Sequence, residues 1–299
     1  MDAQQTRQGV LYALGAYLIW GIAPAYFKLI QQVAPGEIMT HRVIWSALFM
    51  IVLISLSRNW QQVRKTLYNR KKVLLLAASA MLIGGNWLLF IWAVNNHHML
   101  EASLGYFINP LLNVIVGMLF LGERFRRMQW LAVGLAACGV VVQLWKFGSL
   151  PIIALGLAFS FSFYGLLRKK IAVDAQSGML IETLWLFPLA AIYLFGIADS
   201  STSRLTDNSL SLNLLLIAAG VITTIPLMLF TAAATRLRLS TVGFFQYLGP
   251  TLMFLLAVVF YGEQLTDDKV LTFAFIWAAL ALFILDAVYT LRGSRMRIA

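Results

Sequence analysis

Three polar side chains in the segment 102–121 could form one wall of a binding site. Tyr106, Asn109 and Asn113 are spaced i, i+3 and i+7, so a helix places them on one face. Pro110 lies in the same stretch and leaves a backbone carbonyl without its helical donor. Such a stripe can offer hydrogen bonds to a bound solute, or it can hold neighbouring helices together. The residues alone leave both interpretations open.

A second polar group lies between residues 37 and 45. Glu37, His41 and Trp45 follow one another at helical spacing, and Arg42 is adjacent to them. Arg42 can pair with Glu37 or Glu101, can bind an anionic group of a solute through its fork of donors, or can extend to water. We favour a structural or solute-binding role for it.

Proton transfer has five candidate groups, which are Glu37, His41, His97, Glu101 and Glu182. Histidine is suited to this role because it titrates near neutral pH. The adjacent His97 and His98 also raise the question of a metal site. Neighbouring helical residues point about 100° apart, and no cysteine or carboxylate cluster completes a ligand set. We therefore expect no bound metal.

Aromatic and amide side chains near glycine or proline complete the candidate set, because they offer stacking surfaces and hydrogen bonds. The candidate substrate-binding residues are Trp20, Arg42, Asn86, Tyr106, Asn109, Asn113, Tyr164, Gln246 and Tyr247.

The chain that positions these groups is strongly apolar. Of its 299 residues, 61% are hydrophobic and 12% are charged, whereas soluble domains have about 45–50% apolar and about 25% charged residues. This composition indicates a membrane protein. The single cysteine, Cys138, excludes an internal disulfide. The sequence contains no phosphate-binding loop and no dinucleotide fingerprint, so we expect neither ATP nor another cofactor.

Ten apolar runs predict an all-α membrane protein with ten transmembrane helices, because each run approaches the roughly 20 residues that a span needs. The strict alternation of a membrane β-barrel is not seen. The runs cover residues 8–30, 37–57, 73–95, 102–121, 128–145, 149–168, 179–198, 212–234, 240–262 and 270–290.

The 23 basic residues separate by side of the membrane. With a cytoplasmic N-terminus, 18 of them fall in the two termini and the loops on the same side, including Arg168. Four lie on the other side, and Arg42 lies within a span. This bias predicts that both termini are cytoplasmic. The net charge of +11 then reflects membrane topology, and we expect no nucleic-acid partner.

The fourth and ninth spans repeat each other. Pro110 aligns with Pro250, and Glu123 aligns with Glu263. The repeat unit is therefore five spans, covering 1–146 and 147–299, and the odd number inverts the second copy. Inverted repeats with a central site are typical of secondary transporters. We expect Pro110 and Pro250 to act as hinges, since proline weakens a helix.

Two five-span halves and the Pro…Gly-Glu motif resemble the EamA type of the drug/metabolite transporter superfamily. Within it, three blocks closely resemble the bacterial RarD family: THRVIW from Thr40, GGNWLLFIWAVNNHHMLEASLGYFINPL from Gly84, and LRLSTVGFFQYLGPTLMFLLAV from Leu237. The resemblance covers essentially the whole chain. It implies the ten-helix fold, the bacterial inner membrane and a permease role, but it implies no particular substrate.

We expect a secondary transporter, an exporter or permease, that moves small amphipathic metabolites or drug-like solutes by alternating access. Its partners are then the solute and the lipid bilayer, and both a monomer and a homodimer fit. Two other classes stay open. One is a membrane-embedded enzyme that modifies lipid, for which His97, His98 and Glu101 are the only candidates. The other is a non-transporting membrane scaffold.

Overall fold

The computed structural model describes residues 3–96, 98–259 and 266–295, and each regular element in these ranges is an α-helix. The helices are α1 (Ala3–Leu29), α2 (Pro35–Ser57), α3 (Trp60–Leu67), α4 (Arg70–Asn95), α5 (Met99–Leu121), α6 (Arg127–Phe147), α7 (Ile152–Ile171), α8 (Ala175–Gly196), α9 (Leu210–Arg236), α10 (Leu239–Gln246), α11 (Leu248–Val259) and α12 (Asp267–Arg295). His97 and Glu263, both singled out in the sequence, lie outside the described residues.

Ten helical stretches of the described chain are long and apolar enough to cross a membrane, with α10 and the start of α11 counted as one. This agrees with the ten predicted spans. The eight-residue helix α3 was not predicted, because its sequence is polar and too short to appear as an apolar run. It lies between the second and third spans, where Val63 and Thr66 are its buried residues.

The ninth span is interrupted at Tyr247, which separates α10 from α11. Pro250 has no N–H to donate to the carbonyl of Gln246, so the helical ladder weakens at this point. By contrast, α5 continues without a break through Pro110. Only one of the two predicted hinges therefore lies beside an interruption, and hinge motion at either proline stays a prediction.

The second half of the chain repeats the helix positions of the first. Helices α2, α4, α5 and α6 begin at 35, 70, 99 and 127, whereas α8, α9, α10 and α12 begin at 175, 210, 239 and 267, so each pair differs by 140 residues. Pro110 and Pro250 follow the same offset. The described helices are thus two five-span repeats, and the odd number of spans inverts the second.

The two repeats interlock. The most extensive helix contacts join α6 to α12, α5 to α7, α1 to α9, α2 to α9, α2 to α8 and α4 to α7, and each of these pairs joins one repeat to the other. Gly220 lets α9 approach α2 so closely that a Cβ there would lie 2.4 Å from the backbone carbon of Trp45. Residues that face the partner repeat therefore form the interior of the bundle.

Candidate functional site

Arg42 is seven residues inside α2, about 10 Å from the helix end given the helical rise. Its Nε donates to Thr223 Oγ1 at 2.8 Å. Its guanidinium carbon lies 4.5 Å from the ring centre of Trp87 and 5.5 Å from that of Phe27, within the range of cation–π attraction. No carboxylate in the described ranges lies within ion-pair distance of it.

Two tyrosines lie near this guanidinium. The phenols of Tyr26 and Tyr106 lie within electrostatic range of Arg42, and Tyr26 is held by a hydrogen bond from its hydroxyl to the carbonyl of Leu215 at 2.7 Å. Tyr106 keeps 37% of its surface accessible, and its ring packs edge-on against Phe90 with ring centres 6.2 Å apart. Arg42, Thr223, Trp87, Phe27 and Tyr106 are called the Arg42 cluster below. It combines a cation, a hydroxyl and aromatic faces.

Glu37 does not pair with Arg42, contrary to one of the sequence interpretations. Its carboxylate accepts hydrogen bonds from Ser200 Oγ at 2.6 Å and from Thr202 Oγ1 at 2.7 Å. These bonds tie the first turn of α2 to the loop before α9. A carboxylate is favoured in a first turn by the helix dipole, so a structural role suffices for Glu37.

Glu101 does not pair with Arg42 either. It accepts a hydrogen bond from the backbone N–H of Ile153 at 2.7 Å, in the first turn of α7, and it lies 3.6 Å from His98 Nδ1. The first N–H groups of a helix have no partner within that helix, and this carboxylate supplies one. Both acids that the sequence analysis offered as partners of Arg42 are therefore engaged elsewhere.

An aromatic cluster brings Trp20 and Tyr164 together between α1, α7 and α9. Both surround Phe230, with ring centres 6.0 Å and 5.9 Å from it. Phe161 lies 5.1 Å from Phe230, and Tyr17 lies 5.5 Å from Trp20. The hydroxyls of Tyr17 and Tyr164 are buried without a hydrogen-bond partner of good geometry. The cluster offers stacking faces with two unused hydroxyls.

A buried ion pair lies beside this aromatic cluster. Arg168 NH1 is 3.5 Å from Glu182 Oε1, with side chains 1% and 2% exposed. Ser79 Oγ donates to Glu182 Oε1 at 2.5 Å, and Arg168 Nε donates to Thr231 Oγ1 at 3.3 Å. The sequence analysis assigned Arg168 to a loop, and this was wrong, because α7 continues to Ile171 and buries it.

The amide residues join helices. Asn109 Nδ2 donates to the carbonyl of Ala158 at 2.8 Å. Asn113 Nδ2 donates to Asn109 Oδ1 at 3.1 Å and to Gln246 Oε1 at 3.2 Å. The three amides are buried, so this geometry favours the helix-joining alternative for Asn109 and Asn113.

Asn86 and Tyr247 join helices in the same manner. Asn86 Nδ2 donates to the carbonyl of Leu157 and to Ser160 Oγ, both at 2.8 Å, which joins α4 to α7. The hydroxyl of Tyr247 donates to the carbonyl of Phe107 at 3.2 Å, which joins the interruption of the ninth span to α5. The nine predicted binding residues thus divide into the Arg42 cluster, the aromatic cluster and a set of interhelical contacts.

His41 is buried next to Arg42. Its Nδ1 accepts a hydrogen bond from Trp45 Nε1 at 3.2 Å, whereas its Nε2 has no partner. His97 lies outside the described residues. No group of three or more potential metal ligands occurs in the part of the chain that the structure describes.

Glu123 is a residue whose contribution the sequence analysis missed. Its carboxylate accepts hydrogen bonds from the backbone N–H of Leu239 at 2.6 Å and of Ser240 at 3.1 Å, and also from Ser240 Oγ at 2.5 Å. It therefore caps α10 from the end of α5. The Gly-Glu pair of the repeat was the available signal, but it served only to align the two halves.

Comparison with known proteins decides the family. The model of the EamA-like transporter family matches residues 7–145 and again residues 149–285. The chain belongs to the EamA-like transporter family. As an EamA-like protein of ten apolar helices, it is a multi-pass membrane transporter of the drug/metabolite superfamily.

Individual relatives agree with this assignment. The chain is 76% identical over 292 residues to Protein RarD of Salmonella typhimurium, covering 98% of this chain and 99% of the relative. It is 58% identical over 287 residues to an uncharacterized transporter of Vibrio cholerae, covering 96% and 95%. A solved crystal structure shares the fold with a TM-score of 0.73 at 19% identity, covering 94% of this chain and 98% of that one. The EamA-like chain is thus RarD-like over nearly its full length.

Proposed function

We propose that this protein is a secondary transporter that exports small amphipathic solutes carrying an anionic group, by alternating access between its two repeats. The observation that supports this best is Arg42. A cation inside a membrane span is costly unless it has a partner. Among the described residues, Arg42 has a hydroxyl and two aromatic faces as partners but no carboxylate. A solute carboxylate would complete it, and the solute's apolar body would fit the aromatic faces.

Export of an anion requires no nucleotide in this arrangement. With both termini in the cytoplasm of a bacterial inner membrane, as the excess of basic residues on that side supports, the interior is electrically negative. Outward movement of one negative charge is then favourable by about 2.3 kcal/mol per 100 mV of membrane potential. We propose this potential as the driving force, and transport rather than catalysis as the activity.

For proton coupling we propose His41 and Glu182. His41 is buried beside Arg42 and has an unused Nε2, and Glu182 is buried between helices of the two repeats. Glu37 and Glu101 are weaker candidates because their carboxylates already accept hydrogen bonds, Glu37 from the loop before α9 and Glu101 from the first turn of α7. Either Glu182→Gln or His41→Gln is expected to abolish the dependence of solute flux on an imposed pH gradient. An unchanged dependence in both variants would refute the proposed proton coupling.

The test of transport is a solute screen in proteoliposomes containing the purified protein. The solutes are labelled amino acids, aromatic carboxylates, nucleosides, vitamins and amphenicols, each measured with and without a membrane potential. We expect saturable flux of an anionic solute, reduced at least roughly tenfold in Arg42→Gln, since a hydrogen-bonded charge contributes about 1.5–3 kcal/mol. Arg42→Lys should keep part of the flux because the charge remains.

The matched control is Arg204→Gln, which removes an exposed cation from the loop before α9. It should transport like the unmodified protein. Equal flux in Arg42→Gln and Arg204→Gln would show that Arg42 does not bind the solute. No saturable flux of any solute in the screen would argue against transport itself.

A further inference from the structure

Two arginines bind the same helix in the same manner. Arg42, from the first repeat, donates its Nε to Thr223 on α9 at 2.8 Å. Arg168, from the second repeat, donates its Nε to Thr231 on α9 at 3.3 Å. The two threonines are eight residues apart, which corresponds to about 12 Å along the helix. The interior therefore presents two guanidinium groups at two depths along one helix.

Of these two arginines, only Arg168 has a carboxylate partner among the described residues, and the repeat relates that carboxylate to Arg42. At the offset of 140 residues that α2 and α8 share, Arg42 corresponds to Glu182. The second repeat thus holds a carboxylate at the position where the first repeat holds a cation. Trp185, which follows Glu182 as Trp45 follows Arg42, supports the alignment.

The Arg168–Glu182 pair is poorly satisfied for a buried pair. NH1 and NH2 of Arg168 and Oε2 of Glu182 make no hydrogen bond, although both side chains are almost fully buried. Burying two charges is favourable only when further hydrogen bonds satisfy their remaining donors and acceptors. The buried hydroxyl of Tyr164 lies beside Glu182 but makes no hydrogen bond of good geometry. Such a group of unsatisfied atoms is expected where another polar group binds in a different state.

We propose that Arg168 is a second anion-binding residue on the transport path, and that Glu182 is the protein's own carboxylate that occupies it when no solute is bound. The proposal rests on the proposed function of Arg42. The ligand class is an organic carboxylate with an aromatic or apolar body, because Glu182 shows that a carboxylate fits beside Arg168 and the Phe230 aromatic cluster adjoins it. An exported solute binds first to Arg168, where it displaces Glu182, and then passes to Arg42.

This arrangement keeps Arg168 neutralised in both halves of a transport cycle. In the empty protein the partner is Glu182. In the loaded protein the partner is the solute, and the displaced Glu182 carboxylate takes up a proton, in keeping with its proposed part in proton coupling. Neither state leaves a lone charge in the membrane interior, where an unpaired charge is expensive. The empty transporter can therefore change conformation without an uncompensated charge at this position.

The experiment measures binding of benzoate to the purified protein in detergent by isothermal titration calorimetry, with benzyl alcohol as the uncharged analogue. Glu182→Gln removes the competing carboxylate and is expected to bind benzoate roughly tenfold more tightly, as a freed charge-assisted contact allows. The double variant Arg168→Gln/Glu182→Gln should lose this gain. Benzyl alcohol should show no gain in either variant.

Two further variants make the result decisive. Lys170→Gln removes a neighbouring exposed cation of α7 and should bind like the unmodified protein. Ser79→Ala removes one hydrogen bond to Glu182 and should give a smaller gain in benzoate affinity, which replaces the main test where Glu182→Gln does not fold. The proposal is overturned when neither Glu182→Gln nor Ser79→Ala gains affinity, or when the gain persists without Arg168.

The outcome also separates this proposal from the one for Arg42. Benzoate binding that is lost in Arg42→Gln but unaltered in Glu182→Gln refutes the second anion site and leaves the first intact. A gain in Glu182→Gln together with normal binding in Arg42→Gln refutes the role of Arg42 and supports that of Arg168. No binding in the unmodified protein or in any variant refutes both.

Discussion

Replacing Arg168 by methionine is expected to destabilise the protein more than replacing both members of its ion pair. The single change leaves the Glu182 carboxylate buried with Ser79 as its remaining hydrogen-bond donor. Breaking a buried pair in this way costs about 3–5 kcal/mol. Glu182→Met should cost a similar amount, since it leaves the guanidinium unpaired. The double variant carries no buried charge and should lie within about 1–2 kcal/mol of the unmodified protein.

The assay is reversible unfolding in mixed micelles with increasing sodium dodecyl sulfate, followed by circular dichroism. The four chains form a double-mutant cycle. Two single costs of at least about 3 kcal/mol each and a double-variant cost of at most about 2 kcal/mol give a coupling energy of at least about 4 kcal/mol, above the roughly 0.5–3 kcal/mol usual for residues in contact. Lys170→Met combined with Glu182→Met is the control cycle, and its effects should add within about 0.5 kcal/mol. Additive effects of the Arg168 and Glu182 changes would refute the reasoning from burial.

Three other changes have defined outcomes. Glu123→Gln weakens the cap of α10 and should lower the free energy of unfolding by about 1–2 kcal/mol in the same assay, and Ser240→Ala should cost less because two backbone bonds remain. Gly220→Ala places a methyl group against the backbone of α2 and should cost several times more than Gly134→Ala, whose Cβ meets no atom within 4 Å; equal melting temperatures would contradict the close approach. Trp87→Leu removes a cation–π contact worth about 0.5–2 kcal/mol, so the concentration for half-maximal flux should rise several-fold while the melting temperature changes little.

The fold was largely predictable because the membrane imposes it. Each span must be apolar over a fixed length, so ten runs in the sequence became ten spanning stretches. The exceptions are elements that this constraint does not govern. Helix α3 is short and polar, and the interruption at Tyr247 coincides with a hydrogen bond from its hydroxyl to α5, which the sequence does not reveal.

The site was only partly predictable because burial of a polar group depends on the partner helix. Arg42 stood out as a lone cation within an apolar run. Arg168 did not, because it begins a run of three basic residues at the end of a span and resembles a loop charge. Asn109 and Asn113 share a predicted face, yet their amides are used by α7 and α10. Sequence spacing predicts which residues share one face of a helix, but not which neighbouring helix packs against that face.

The interlocking of the repeats constrains how the protein is made. The first 146 residues are synthesised before any helix of the second repeat, and synthesis of the remaining 153 takes roughly 8–30 s at about 5–20 residues per second. During that interval Arg42 is in the bilayer without Thr223. The first repeat therefore has to wait in the membrane as an incomplete assembly, open to quality-control proteases, until α9 is inserted between its helices.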